Sequence, residues 1–483
     1  MDSAASIAAA VTGGTLASQV LADHVRRHGE THSRLNALVL PRHDAAAREA
    51  AAIDAGDRRT LPLAGVPVSV KECFPVAGLP TTLGIRRRTG MVDTADCGLV
   101  LRLRRAGALI VGKANVPQAM YLHETDNPVY GRTNHPDRAD RGPGGSSGGD
   151  AALVAAGVVA LAVGNDLAGS IRQPAHACGI CGLLPRTGAL GEGGAFDNVP
   201  GLTLVRPRAG FLARTVTDLR LAWRAIEPVD GDPARPAALR IGWWDDGGPV
   251  GASAAVQRGV AEAVDRLVAR GVAVERIDGG LATDAAWLHL ALMSADGGAD
   301  IRRLFAGERP IPAVARLLAM SGLPRPWRRA VAWSARLAGR RLEATGLAAT
   351  GPRNAAGLAR LAAARDDVAH RVAGLAARFD ALLCPVSALP ALRHGLAAPL
   401  VLAAAPCLLA NLLDLPAGTV PIGRVRPDEQ ATRPWSSDPV LRAAREVDRD
   451  SAGLPVGVQV VALRGGEPMV LDCLDLIGDP ADR

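Results

Sequence analysis

The chain has 483 residues, 48% of them hydrophobic, 21% charged and 3% aromatic, with a formal net charge of +7. Abundant apolar residues exclude a disordered chain, and scarce aromatics argue against the base-stacking platforms that would make the basic balance a sign of nucleic-acid binding. Lys71 and Lys113 are the two lysines, and every other basic residue is arginine. In chain order, Thr15 caps a predicted helix reaching about His28, with Ala17, Leu21 and Val25 stacked at i, i+4 spacing, and an Ala-rich helix follows over Asp44–Ala55. Together, residues 1–58 read as helices packed outside the core. Leu61–Val70 is Val-rich and bounded by Gly and Pro, as in a buried strand; Cys97–Ala106 reads as an amphipathic helix and Leu109–Gly112 as a strand. Alternation continues through Leu153–Val163, past the Gly/Ser-dense stretch Asp140–Gly149, and further strands are expected at Leu382–Val386, Gly418–Ile422 and Val458–Leu463. Helix–strand alternation without a repeat or long linker points to one layered α/β unit over 1–483.

Seven cysteines, an odd number at scattered positions, do not form a disulfide framework and fit a reducing, cytoplasmic setting. Cys178-Gly-Ile-Cys181 spells C-x-x-C, but no second pair follows at zinc-like spacing, so buried thiols and no metal are expected. Asp2 precedes an Ala/Thr/Gly-rich start that does not resemble a signal peptide. Ala151–Gly164 is too short to span a bilayer, and Leu396–Leu413 is interrupted by Pro399, Pro406 and Asn411.

The segment 309–342 stands apart, with eight arginines and no acidic residue. Pro324 and Pro326 are expected to divide it into two helices. Helical spacing places Arg329, Trp333, Arg336 and Arg340 on one face, and Trp327, Val331, Ser334 and Ala338 on another. Two readings stay open: a solvated face, or a surface resting on anionic lipid through Arg325, Trp327, Arg328, Arg329, Trp333, Arg336 and Arg340.

Gly-Gly-Ser-Ser-Gly-Gly at 144–149 satisfies G-x-S-x-G at both Ser146 and Ser147, but Arg138–Pro143 before it is no strand, so a nucleophile elbow fails on context. Its company is more informative. Asp166-Leu-Ala-Gly-Ser-Ile-Arg172 places a serine 24 residues after Ser146, and Pro-Val-Ser-Val-Lys-Glu72 places a lysine 75 residues before it. Together these resemble the amidase signature family of serine hydrolases. The phrases Val70–Phe74, Asn115–Met120, Cys178–Leu183, Leu412–Gly418 and Gly453–Gln459 look closest to its fatty-acid amide hydrolases.

The resemblance implies an α/β fold with a mixed sheet covered by helices on both faces and a helical cap-like insertion over 300–365. It implies Ser170 as nucleophile, Ser146 as a bridging serine after a cis peptide, and Lys71 as base. It further implies an oxyanion hole from the N–H groups of Leu167, Ala168, Gly169 and Ser170, a brace of Asp166 and Arg172, and Gly145 and Ser147 as small neighbours of Ser146. No cofactor is implied; the partners expected are a small-molecule amide of apolar acyl chain, an anionic membrane surface and a second copy of the chain, with no nucleic acid. Two other readings stay open: the amidase subunit of a glutamine-dependent amidotransferase complex, and a binding protein of the same fold with impaired turnover.

The chemistry is consistent with these roles. A serine hydroxyl needs a base to hold its proton, and neutralising an ordinary lysine at pH 7 costs about 4–5 kcal/mol. Burial beside hydroxyls, with no carboxylate partner, is expected to supply that shift; arginine could not. Ala168 stands where the family often has glycine, and Asn165 replaces a common threonine, a change expected to affect loop support without touching the triad. Lys113 is expected to be structural, and histidines such as His123 and His176 are expected to be core or surface residues.

Overall fold

In the computed structural model, residues 2–191, 196–227 and 238–478 are described. Strands form at apolar runs bounded by glycine, proline or polar turns: β1 (Leu38–Pro41), β2 (Pro67–Lys71), β3 (Leu109–Ala114), β4 (Asp126–Asn127), β5 (Gly131–Arg132), β6 (Leu161–Asp166), β7 (Cys181–Leu184), β8 (Arg208–Ala213), β9 (Arg240–Trp243), β10 (Ala273–Arg276), β11 (Ala381–Pro385), β12 (Ala417–Arg424) and β13 (Pro455–Ala462). Eleven of them make one sheet in the order β1-β3-β2-β6-β8-β7-β12-β13-β11-β9-β10, and β4 pairs with β5 apart from it. The sheet is mixed. β2 is parallel to β3 and β6, and β9 is parallel to β10 and β11. The other neighbours are antiparallel.

Strands β2, β3, β6, β8 and β13 are buried along their whole length. Burial on both faces is why they read as continuous apolar runs rather than alternating ones. The helices Val216–Ile226, Ala254–Ala269 and Gly466–Ile477 pack together on one face. The helices Gly148–Ala155 and Arg172–Cys178 cover the other. The two faces can be told apart along β12 and β13: Gly418 lies against Val470 and Leu474, whereas Gly457 backs onto His176.

Several elements differ from the sequence reading. The N-terminal segment does more than pack outside, because Leu38–Pro41 supplies an edge strand of the sheet. An unpredicted helix, Ala4–Thr12, precedes it, with the Ser3 side chain accepting from the Ser6 N–H at its start. The next helix runs past His28 to Leu35, sustained by ion pairs of Asp23 and Glu30 with Arg26 and Arg27, and ends where Asn36 turns left-handed. β2 begins only at Pro67, because Leu61–Val66 is a turn whose Leu63 N–H bonds the Ala106 carbonyl. Pro324 caps the helix Arg325–Leu337, and Pro326 lies inside its first turn, where a missing N–H costs nothing. That helix ends at Leu337, so Arg340 is not on its face; Arg340 instead caps the helix Arg341–Ala349.

From Gly280 to Ala376 the described chain forms six helices, and the first five border a cavity or pack beside it above the helix-covered face bearing Gly148–Ala155. Among the described residues no helix is long and apolar enough to cross a membrane, and no group of three or more His, Cys, Asp or Glu side chains is placed to hold a metal ion. All seven cysteines are free and buried.

Candidate active site

Parallel pairing brings the C-terminal ends of β2 and β6 together, and these ends carry Lys71 and Asn165–Asp166. The Gly-rich loop before the helix Gly148–Ala155 lies against them. Lys71 Nζ is 2.7 Å from Ser146 Oγ and 3.1 Å from the Asn165 carbonyl oxygen, and it also contacts Asn165 Oδ1. The Gly145–Ser146 peptide is cis. Gly145 has no room for a side chain, since a Cβ would lie 2.8 Å from both the Leu122 carbonyl oxygen and the Glu124 nitrogen. Its N–H donates to Gln173 Oε1 at 3.0 Å, and the Ser147 N–H donates to the Ser170 carbonyl at 3.1 Å. The Ser147 hydroxyl donates to the Asn165 carbonyl at 3.3 Å. Asn165 thus does more than support a loop, contrary to expectation: its amide oxygen reaches the lysine itself.

The loop 166–172 is organised by a buried carboxylate. Asp166 accepts the N–H of Gly169 at 2.6 Å and of Ile171 at 3.0 Å, and the Asn411 amide at 2.9 Å. Arg172 adds two contacts, Nε to Oδ2 at 3.1 Å and Nη2 to Oδ1 at 3.2 Å, with both side chains fully buried. Arg172 also donates to the Cys407 carbonyl, Gln459 Oε1 and Asn411 Oδ1. Burial opposes ionisation of Asp166, but the guanidinium and the N–H donors outweigh it and hold its carboxyl well below the usual range.

This arrangement corrects one sequence expectation. The Gly169 N–H is already given to Asp166 and does not face an incoming oxyanion. The N–H groups of Leu167, Ala168 and Ser170 have no acceptor among the described residues. Gly169 itself has φ +96°, a conformation that suits glycine, and turns the chain so that Ser170 borders the cavity. The Ala168 carbonyl accepts from His123 Nε2 at 3.0 Å, which makes His123 part of this loop's support and a lining residue of the cavity.

Lys71 is wholly buried, and burial pushes its amine below the usual pKa while Cys73, Asp150 and Asp166 pull the other way. Asp150 lies in the first turn of the adjacent helix, where it acts on Lys71 through its charge rather than as an ion-pair partner. Lys113 is also buried, donating to the Pro80 carbonyl and Thr81 Oγ1 at 2.7 Å each, away from these serines. His176 donates to or accepts from the backbone of Gly457 and Leu389 in the core.

A cavity of about 250 Å³ begins at Ser170 and Leu167 and runs beneath the helical segment. Its wall is mostly apolar, with Met120, Leu122, Trp287, Leu290, Met293, Leu317, Met320 and Leu402 among its residues, and Arg316 and Glu343 as its charged pair. Burial and ion pairing also redraw the basic segment. Arg328 is only 4% exposed, tucked near the Leu323 carbonyl, and Glu343 pairs with both Arg316 and Arg340. Trp327 and Trp333 stay 68% and 67% exposed, beside Arg325, Arg329 and Arg336.

Asp150 and Gln173 escaped the sequence reading, as did the site roles of Asn165, His123 and Asn411, because none belongs to a recognisable chemical triad. Gln459 closes the flagged phrase Gly453–Gln459, a signal that could have found it.

The sequence matches the Amidase family over residues 19–471. The chain belongs to that family, the amidase signature enzymes, and is a hydrolase acting on amides. Among its relatives, fatty-acid amide hydrolase 1 of Sus scrofa is 32% identical over 431 residues, 85% of this chain and 74% of that protein. Fatty acid amide hydrolase 1 of Caenorhabditis elegans is 29% identical over 432 residues, 85% of this chain and 75% of that one. A solved fatty acid amide hydrolase shares the fold, with a TM-score of 0.83 at 22% identity, covering 99% of this chain and 85% of that chain.

Proposed function

We propose that this amidase cleaves apolar acyl amides through an acyl-enzyme on Ser170, with Ser146 as proton relay and Lys71 as base. The observation that carries this is the 2.7 Å contact of Lys71 Nζ with Ser146 Oγ, in a loop tied to Ser170 at the end of an apolar cavity. A neutral Lys71 gives its two N–H groups to the Asn165 carbonyl and amide oxygens and keeps its lone pair for the Ser146 hydroxyl. As Ser170 Oγ attacks the carbonyl carbon, its proton passes to Ser146 Oγ and the Ser146 proton passes to Lys71. The N–H groups of Leu167, Ala168 and Ser170 receive the developing oxyanion, donors typically worth about 3–4 kcal/mol each in the transition state. Collapse breaks the C–N bond, and the proton returns through Ser146 to the leaving nitrogen. Water then hydrolyses the Ser170 ester by the same relay.

The apolar wall supports an apolar acyl group, as does the likeness to proteins named fatty-acid amide hydrolase. We further read the helices over 300–365 as a cap whose exposed Trp327 and Trp333, with Arg325, Arg329 and Arg336, rest on anionic lipid.

Turnover of acyl amides of graded chain length is the test. Longer apolar chains should be preferred, Ser170→Ala and Lys71→Arg should both be inactive, and a fluorophosphonate should label Ser170. Substantial activity in Lys71→Arg would remove the base assignment. Preference for glutamine, with co-purifying partner proteins, would place the chain with glutamine-dependent amidotransferases instead, and folded protein that resists labelling would be a binding protein. Salt-sensitive binding to anionic vesicles should weaken when Arg325, Arg329 and Arg336 become Gln; no binding by the unaltered protein leaves the solvated face.

A further inference from the structure

A buried carboxylate lies beside the strand that carries Lys71. Asp150 sits in the first turn of the helix Gly148–Ala155 and is completely inaccessible. Ser69 precedes Lys71 by two residues on β2 and so shares its side of the strand. The Ser69 hydroxyl donates to Asp150 Oδ1 at 2.8 Å, while Oδ2 has no hydrogen-bond partner among the described residues. A buried acceptor left unpaired is costly as a neutral group and more so as an anion, so Asp150 is held in an unusual place for no evident gain in packing.

The ionisable groups on neighbouring elements narrow what it can act on. Asp166 on β6 is closed off by Arg172. Arg208 on β8 bonds the carbonyls of Pro185, Leu415 and Ala410. On the helix Arg172–Cys178, His176 bonds backbone groups of Gly457 and Leu389, and Cys178 reaches the Pro143 carbonyl. Cys73, just beyond β2, also feels Asp150, but burial pushes its thiol up to about 12 and keeps it uncharged. Lys71, on the same side of β2 as the Ser69 that bonds Asp150, is the remaining cation whose charge acts on it.

We propose that Asp150 is a positioning residue for the proton of Lys71: amine and carboxyl bind protons as one coupled pair, and the charge on Asp150 sets the pH at which Lys71 becomes a free base. The proposal rests on Lys71 being the base. With one proton between them, the pair exists either as ammonium and carboxylate or as amine and carboxylic acid. Only the second leaves a lone pair for Ser146, whereas an ionised Asp150 holds the proton on the amine. Burial works against that ion pair from both sides, raising the Asp150 carboxyl to about 7 and lowering the Lys71 amine, so the pair sits where a change at Asp150 moves the proton.

The test is the pH dependence of kcat/KM, each variant normalised to its own plateau. Asp150→Asn removes the anion that retains the proton on Lys71, so the acid limb should move to lower pH by about one unit. At one unit below the wild-type midpoint the variant would then keep about half its plateau against about a tenth for the wild type. Ser69→Ala deletes the hydrogen bond that favours the ionised carboxylate and should shift the limb in the same direction by less, which provides a reading if Asp150→Asn does not fold. A purely structural role lowers activity at every pH without moving the midpoint. Unmoved midpoints in the folded variants, with Lys71→Ala inactive, overturn the coupling and leave the base in place. Wild-type turnover in Lys71→Ala overturns the base itself and the coupling with it.

Discussion

Replacing Arg172 with methionine removes the cation from a pair in which both side chains are wholly inaccessible. Asp166 would keep the N–H groups of Gly169 and Ile171 and the Asn411 amide, but its charge would be uncompensated. Breaking a buried pair from one side costs about 3–5 kcal/mol. The Cys407 carbonyl, Gln459 Oε1 and Asn411 Oδ1 also lose a donor, and each acceptor left unsatisfied costs about 1–3 kcal/mol. Even without full additivity, the loss approaches the lower end of the about 5–15 kcal/mol that holds a protein folded. Arg172→Lys keeps the charge, but one nitrogen cannot span the carboxylate and three further acceptors, so roughly half the penalty is expected. Guanidinium unfolding followed by tryptophan fluorescence should rank wild type above Arg172→Lys and that above Arg172→Met. The double variant Asp166→Asn/Arg172→Met should recover at least about 1 kcal/mol over Arg172→Met, because the isolated charge is gone. A double variant no more stable than the single one, or an Arg172→Met penalty below about 1 kcal/mol, refutes the reasoning.

Three other outcomes are expected. Asn165→Ala removes the side-chain acceptor that orients the Lys71 amine, and kcat should fall about tenfold, the worth of one hydrogen bond, in steady-state assays. Gly169→Ala forces a methyl to within 3.0 Å of Cys407 Cβ at φ +96°, so thermal denaturation should show a loss of about 1–3 kcal/mol, and Cys407→Gly should relieve only the contact. His24 is buried with Nδ1 on the Val158 carbonyl and Nε2 unpartnered among the described residues, and burial first, then its histidine neighbours, lower its pKa to about 4. Folding thus favours neutral His24: the stability is present above the unfolded pKa of about 6.5 and is lost as pH falls toward 4, by up to about 3 kcal/mol. Thermal midpoints measured against pH should drop across that window, and less so in His24→Gln.

Lys71, Ser146, Ser170 and the two serine-bearing loops were legible as a candidate site because their order and spacing are unusual, and the central strands because burial on both faces makes them continuously apolar. Short strands such as Leu38–Pro41 and Ala273–Arg276 were not legible: four residues carry little periodicity, and partners distant in sequence decide whether they pair. The same holds for Arg328 and Arg340, which read as surface charge along a helix, yet one is covered by the chain around Gly351 and the other meets Glu343 just past the segment's end. Asn165 looked like a loop substitution until β2 and β6 were laid side by side. Asp150 follows a glycine pair as any helix-starting carboxylate would, and only the packing of that helix on β2 makes it a neighbour of Lys71.

The burial of both lysines has a practical consequence. Lys71 and Lys113 are each 0% exposed, and all seven thiols are buried as well. The described surface therefore offers neither side-chain amines nor thiols to electrophiles. Amine-directed cross-linkers, lysine acylation and maleimides should leave the folded side chains untouched. A single cysteine placed beside Trp327 or Trp333 would then be the one reactive thiol on the described surface, and a fluorophore there would report selectively on whatever that face touches.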